Sequence, residues 1–426
     1  MKFIADIEVH SKYARAVSPQ MTLENLALWG AKKGIKVLGT GDFTHPLWFE
    51  EIKSKLEPAE PGLFRLKEQY CIKADSPFDS RATRFLLSGE ISCVYTKNGA
   101  GRRVHHLIYA PNLEAVQKIN TQLGWIGNIK SDGRPIIGID SKELLKILLN
   151  VSPECVLIPA HVFTPWFGLL GSKSGFNSLE ECFDELTPQV FAIETGLSAD
   201  PPMCWRLPFL DEKTIISSSD PHSLTRLGRE AIIFDTELSY QAIMGAIRKR
   251  DQELVGTIEF FPEEGRYHFD GHRDCKVLWS PEETKKHKGI CTVCGRPVTV
   301  GVMARIDELA DPERKAGFKP DWAKPFYNFI PFDEVIADAV GQGKNTKRVW
   351  EVYETSLEHF GSEFAILIDA SESELKAGLT PPVAEAVTRM RKGEVHITPG
   401  FDGEYGKIKI FEEDERKKIE QQKSLF

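Results

Sequence analysis

The chain has 426 residues, 41% of them hydrophobic, and a formal net charge of −8. That length suits two or three domains with ordinary folded cores, and the acidic balance argues against indiscriminate polyanion binding, although metal ions would add positive charge that a residue count omits. No apolar stretch approaches the roughly 20 residues of a membrane span, and the start MKFIADIEVH lacks a basic segment, apolar core and small-residue cleavage site, so a cytoplasmic protein with no membrane partner is expected.

In chain order, apolar strand-like runs alternate with segments of helical period. FIADIEVH closes on Glu8 and His10 and is followed by TLENLALWGAKKG, with Thr22 as N-cap and Gly34 as stop. VLGTGD closes on Asp42 and FLLSGE on Glu90, with an irregular stretch at 54–82 between them, and RVHHLIYA carries His105 and His106. SKELLKILLN (141–150), capped by Ser141, precedes CVLIPAH, which ends on His161; SLEECFDEL (178–186), capped by Ser178, precedes VFAIE, which ends on Glu194. TIISSSDPH ends on Asp220 and His222, and YQAIMGAIRKR (240–250) follows. This alternation predicts a parallel α/β barrel or sheet ending near residue 260.

Acid and imidazole side chains at the carboxyl ends of such strands converge on one mouth, where these folds keep their chemistry. The ligand types are those of borderline divalent metals, with no thiolate among them. Glu8, His10, Asp42, Glu90, His161, Asp220 and His222 are therefore expected to form a catalytic multinuclear metal site, with Glu90 bridging. Strand alternation turns one of His105 and His106 outward, and His106 is taken as the ligand. Glu194 is a ligand or a substrate contact. The loop after His161, FTPWFGLLGSKSGF, offers aromatic faces at Phe163, Trp166 and Phe167 and donors around Gly168, Ser172, Lys173 and Ser174. It either forms a substrate pocket or caps the barrel core.

At residue 263 the composition changes. His272-x-x-Cys275 and Cys291-x-x-Cys294, about 15 residues apart and followed by Gly295, have the spacing of a structural zinc module, although His268 and His287 compete for the histidine place. Cys71, Cys93, Cys155, Cys182 and Cys204 are expected to stay reduced. ARIDELAD, VWEVYETSLEHF and PPVAEAVTRMRKG then read as helices. GQGKNTK (341–347) lacks the first glycine of a nucleotide-cradling loop; it could grip a nucleic-acid backbone through Lys344, Lys347 and Arg348 or be a solvated turn. The expected division is a catalytic barrel at 1–262, a zinc-binding module at 263–302, a helical DNA-gripping region at 303–420 and a tail at 421–426.

Asp6-Ile7-Glu8-Val9-His10-Ser11, Gly89-Glu90, Ala160-His161 and Ser219-Asp220-Pro221-His222 resemble the motifs of the polymerase-and-histidinol-phosphatase (PHP) family of metal phosphoesterases. That family usually has His where Glu8 stands and Asp-His together where this chain has Gly41-Asp42-Phe43-Thr44-His45, so either His45 replaces that ligand or the site holds fewer metals than the full family pattern. The resemblance implies a distorted (β/α)7 barrel and zinc in the cluster, with Mg²⁺ or Mn²⁺ for turnover; Glu8 adds negative charge that favours such harder ions. A narrower resemblance, to the endonuclease Q family, rests on PAHVFTPWFGLLGSKSGFNSLEECF (159–183), ETGLSADPPM (194–203) and LGREA (227–231), followed by the zinc segment and helical tail. It implies a DNA repair endonuclease that cuts 5′ of deaminated bases (uracil, hypoxanthine, xanthine) and at abasic sites, and a pocket in the loop after His161 for a base taken out of the stack. The competing readings are a PHP 3′–5′ exonuclease or small-molecule phosphomonoesterase, and a non-catalytic nucleic-acid-binding adaptor. Gln422-Lys423-Ser424-Leu425-Phe426 resembles the bacterial clamp-binding pentapeptide and the front half of the archaeal motif, which implies a sliding clamp as partner through Gln422, Leu425 and Phe426.

Overall fold

The strand Lys2–Asp6 lies inside the largest sheet of the computed structural model, which describes residues 1–72, 77–412 and 415. Ala231–Asp235 runs antiparallel on one side of it and Val37–Gly39 parallel on the other, with Arg84–Leu86 continuing the parallel run. There the expected parallel order breaks. Ser88–Lys97 and Ala100–Tyr109 form a long antiparallel hairpin, and Val156–Pro159 pairs antiparallel with its second arm. The cause is the linker: only Asn98 and Gly99 separate the arms, both left-handed with φ of 55° and 74°. Two such residues make a primed hairpin turn, whereas a parallel crossover needs a dozen or more residues. Parallel pairing resumes between Ala192–Glu194 and Thr214–Ile216, and the bond from the Val162 amide to the Glu194 carbonyl (3.1 Å) ties that pair to the strand before it.

The helix Leu23–Lys33 begins and ends as expected, with the Thr22 hydroxyl accepting from the Asn25 amide and Gly34 left-handed at φ 84°. Ser178 likewise caps Leu179–Phe183. Ser141 is not a cap: Asp140 accepts from the Lys142 amide, and Ser141 is the first helical residue, free to bond elsewhere. Ala5, Ile7, Val37, Leu86, Ile158 and Ile216 form an inner core between the strands.

Beyond the barrel strands, Asp270–His272 and Val277–Trp279 make a short hairpin that carries the first zinc-type pair. Phe326–Asn328 pairs parallel with Leu254–Glu259 at the edge of the largest sheet, so a strand of the later region is built into the earlier one. The helices Phe332–Val340, Lys347–Phe360, Glu372–Gly378 and Pro381–Lys392 follow. A small hairpin, His396–Thr398 with Lys407–Lys409, folds back on residues 262–273, where the Gly400 and Gly406 amides donate to the carbonyls of Glu263 (2.8 Å) and Glu264 (3.1 Å). Among the described residues no helix is long and apolar enough to cross a membrane. The clamp-docking residues 422–426 lie outside the described residues.

Candidate active site

Asp42, His161 and Asp220 each follow a barrel strand with φ positive, at 45°, 29° and 42°. Non-glycine residues avoid that region at a cost of order 1–3 kcal/mol each, and here the turn aims three ligand-type side chains into one mouth. His10, fully buried, sits among carboxylates: its Nδ1 is 3.0 Å from Asp42 Oδ1, and its Nε2 is 3.1 Å from Glu90 Oε2 and 3.0 Å from Asp220 Oδ1. Asp42 also accepts from the Ser11 amide (2.6 Å) and hydroxyl (2.7 Å). Glu90 joins the two halves of the cluster, with Oε1 2.7 Å from His105 Nδ1 and 3.3 Å from His161 Nε2, and Oε2 3.2 Å from Arg134 Nη1. Glu90, His105 and His161 can offer ligand atoms all within 4.8 Å of one another.

Glu8 is the least compensated group. It is 2% exposed, and neither carboxylate oxygen has a hydrogen-bond partner among the described residues. Burial, then the charges of Glu194, Asp220 and Glu90, push its carboxyl well above the ordinary range. Burial also opposes ionisation of Glu90, but Arg134 and His105 outweigh it and hold that carboxyl low. An orphaned buried acid among carboxylates and imidazoles fits a cation: a bound divalent ion would relieve the cost of both the burial and the repulsion.

The expectation that His106 faces this cluster does not hold. In the hairpin register Glu90 opposes Leu107 and Ser92 opposes His105, which puts His105 on the face of Glu90; His106 opposes Ile91 on the other face. Its Nε2 meets the Ser141 hydroxyl at 2.7 Å, and burial pushes its imidazole down to about 3. Replacing His105 with alanine is expected to remove metal-dependent turnover. His106→Ala should instead cost about 1–3 kcal/mol of stability, from the buried Ser141 O–H losing its acceptor while the bond from the Tyr95 hydroxyl stays, and keep turnover; thermal melts beside single-turnover rates separate the two.

Glu194 is consumed by backbone: its carboxylate accepts from the amides of His161 (2.5 Å), Gly196 (2.8 Å) and Ser218 (3.2 Å). Burial nonetheless raises its carboxyl to about 7. It thereby ties the strand end bearing His161 to the loops after its own strand and the next. His222 packs edge-on against His10 at 5.3 Å and is partly exposed at the mouth. His45 stacks on Tyr13 at 4.5 Å with burial lowering its imidazole, and Phe43, in the family's histidine place, is a core side chain.

Beside the cluster is a cavity of about 250 Å³ lined by Glu8, His105, Arg134, His161, Trp166 and Asp220, among others. The loop expected to form a base pocket is divided. Trp166 and Phe167 line the cavity, and Phe167 packs on His105 at 4.5 Å. Phe163 is a core residue; Ser174 bonds the Phe167 amide (3.2 Å) and the Arg103 carbonyl (3.1 Å). Gly168 is pressed against the backbone of Val162 and Thr164, the Ser172 hydroxyl is buried, and the Lys173 amide donates to Pro165. Sequence reasoning missed Arg134, which reaches Glu90 from a loop, and Thr164, whose hydroxyl is 3.1 Å from His161 Nδ1. The adjacent Gly133 is a partial signal: a Cβ there would lie 2.4 Å from Asp42 Oδ2.

A second cluster forms at the hairpin Asp270–His272/Val277–Trp279. His272, Cys275, Cys291 and Cys294 offer one atom each within 4.8 Å of one another. His287 instead stacks on Trp279, and His268 packs beside Phe269, which settles which histidine joins the cysteines. Burial resists ionisation of Cys291, but the amides of Cys294 and Val293 outweigh it and hold the thiol below its ordinary value. That favours the thiolate a metal needs, so this set also fits a cation.

Residues 331–394 match the model of the MJ0043 C-terminal domain. An uncharacterized protein of Methanocaldococcus jannaschii, MJ0043, is 34% identical over 58% of this chain, which spans 31% of that protein. An uncharacterized protein of Bacillus subtilis, YqxK, is 26% identical over 96% of this chain and 99% of its own length. The crystal structure of the lesion-specific endonuclease PfuEndoQ from Pyrococcus furiosus superposes with a TM-score of 0.84 at 29% identity, covering 100% of this chain and 99% of that one. An endonuclease Q complex with a 27-mer duplex bearing an abasic lesion at the active site gives 0.82 at 29%, covering 97% and 98%. By fold over its whole length, the chain is a structural relative of endonuclease Q.

Proposed function

We propose that this chain is a metal-dependent DNA repair endonuclease that hydrolyses the phosphodiester 5′ of a deaminated base or at an abasic site. The observation that carries the reading is the full-length likeness to a lesion-specific endonuclease, together with an orphaned Glu8 in a His/Asp/Glu cluster that opens on a cavity. Glu8, His10, Asp42, Glu90, His105, His161 and Asp220 would hold the divalent ions, zinc with Mg²⁺ or Mn²⁺, with His222 at the rim. Such ions supply an activated water and charge stabilisation at the leaving oxygen. Arg134, held by Glu90 and lining the cavity, would pair with a non-bridging phosphate oxygen. Thr164 fixes the ring of His161. Trp166 and Phe167 offer faces to a nucleotide drawn out of the stack.

A duplex with a single deoxyuridine tests the reading. Internal incision on its 5′ side supports it; stepwise trimming from an end would make the chain an exonuclease, and binding without cleavage an adaptor. The QKSLF sequence supports a sliding clamp as second partner, since an apolar Leu-Phe pair can enter a pocket while Gln422 hydrogen-bonds beside it. Deleting 422–426 should abolish co-elution with the clamp and leave incision of short oligonucleotides intact.

A further inference from the structure

A cavity of about 630 Å³ adjoins the metal cavity, and Leu197 and Ser198 line both. Its walls are of two kinds. One is cationic, with Arg226, Arg229, Arg266, Lys344, Lys407 and Lys409. Several of these are already engaged: Arg226 with Asp333 (2.8 Å) and Glu334 (2.5 Å), Lys344 with Glu334 (2.8 Å), and Arg229 with the carbonyls of Ser219 (3.0 Å) and Asp220 (3.3 Å). Lys407 and Lys409 are exposed and have neither ion pair nor side-chain hydrogen bond among the described residues. They are two residues apart on one strand and share a face, roughly 6.7 Å from each other. Both ammonium groups can therefore meet phosphates of one strand.

The other wall is aromatic. Trp166, on the metal cavity, packs against Tyr267 of the larger one at 5.5 Å. Beyond Tyr267, the Arg266 guanidinium lies 5.0 Å over the ring of Tyr405, which is 70% exposed. A line of ring faces thus leads from the metals into the cationic cavity. Cations without an ion pair among the described residues, lining one cavity with partly exposed rings, suit unstacked nucleotides, whose phosphates and bases are both reachable. An intact duplex hides its base faces, and its diameter exceeds a cavity of this volume.

Resting on the endonuclease reading, we infer that this cavity is a single-strand tract. It holds nucleotides of the substrate strand that have left the duplex beside the cleavage point, with bases on Tyr267 and Tyr405 and phosphates at Lys407, Lys409 and Arg266. The hairpin that carries both lysines is stapled to the segment bearing Tyr267 by the Gly400 and Gly406 amides, and a Cβ at Gly406 would lie 2.1 Å from the Glu263 carbonyl oxygen. The two walls are therefore fixed relative to each other.

The test is fluorescence anisotropy on the full chain carrying Asp220→Asn, which keeps the turn at φ 42°, so that DNA is bound and not cut. The probes are an abasic-site duplex and the same duplex with three unpaired nucleotides beside the lesion. The unpaired probe should bind more tightly. Lys407→Ala/Lys409→Ala should lower the slope of log affinity against log salt by about 1.4, two single-strand phosphate contacts. Tyr405→Ala should weaken the unpaired probe roughly ten-fold and leave the slope unchanged. Equal affinity for both probes, or variants that bind both as the parent does, would overturn the tract. Competition by a free mononucleotide as effective as that by DNA would overturn it too, by assigning the cavity to a small ligand. Failure of the unmodified chain to incise either duplex would count instead against the endonuclease reading, which the binding measurements do not use.

Discussion

Replacing Asp220 or His161 with alanine should lower incision of a deoxyuridine duplex by about three orders of magnitude or more, because an ion held at the cluster supplies several kcal/mol of the barrier. Folding should survive. Asp220 is 24% exposed at the mouth and is one of the charges that raise the Glu8 carboxyl, so its removal relieves repulsion among buried acids. The backbone is the complication: with φ at 42°, Asp220 tolerates asparagine better than alanine. Asp220→Asn is therefore the cleaner variant, keeping the turn and the side-chain volume while removing the charge. Single-turnover incision, metal content by mass spectrometry and a thermal melt together decide the matter. Normal incision by Asp220→Asn with the metals still bound would remove Asp220 from the ligand set.

How much of this site could be read from the chain depended on whether a residue's direction is local. Glu8, Asp42, Glu90, His161 and Asp220 were legible because each ends an apolar run, and strand ends in such a fold share a mouth. His105 was not, because its direction depends on the pairing register of a hairpin set by Asn98 and Gly99, which a parallel reading passes over. Glu194 ends a strand like the others, yet three backbone amides claim it, and no sequence pattern announces that. Ser141 reads as a helix cap, but Asp140 takes that place and leaves the hydroxyl for His106. Arg134 acts across 44 positions from a loop with no periodicity. The loop after His161 shows the same limit: its composition named donors, but Ser174 is consumed within the fold, and Thr164, Trp166 and Phe167 are its residues that line the cavity.

The double variant Cys291→Ser/Cys294→Ser should lose one zinc equivalent and weaken DNA binding while the barrel stays folded. Closed Cys/His sites contribute folding energy directly and keep no open position for catalysis. The core around this set is small: Val277, Trp279, Cys291 and Val298 form a separate cluster with Cys275 packed on it, too little apolar surface to hold the hairpin without a cross-link. Its loss should spread in a definite direction. Gly271 pairs with Thr299, and the Val302 amide donates to the Tyr267 carbonyl (2.7 Å), so the module braces the segment that carries Tyr267 and Arg266 beside the cationic cavity. The barrel is held by its own strands and should melt near the parent temperature. A chelator that strips the module's ion should reproduce the binding defect in the parent chain and have no further effect on binding by the variant. Unchanged zinc content in the double variant would show that the cysteines are free thiols, and the bracing of Tyr267 would then rest on the backbone bonds alone.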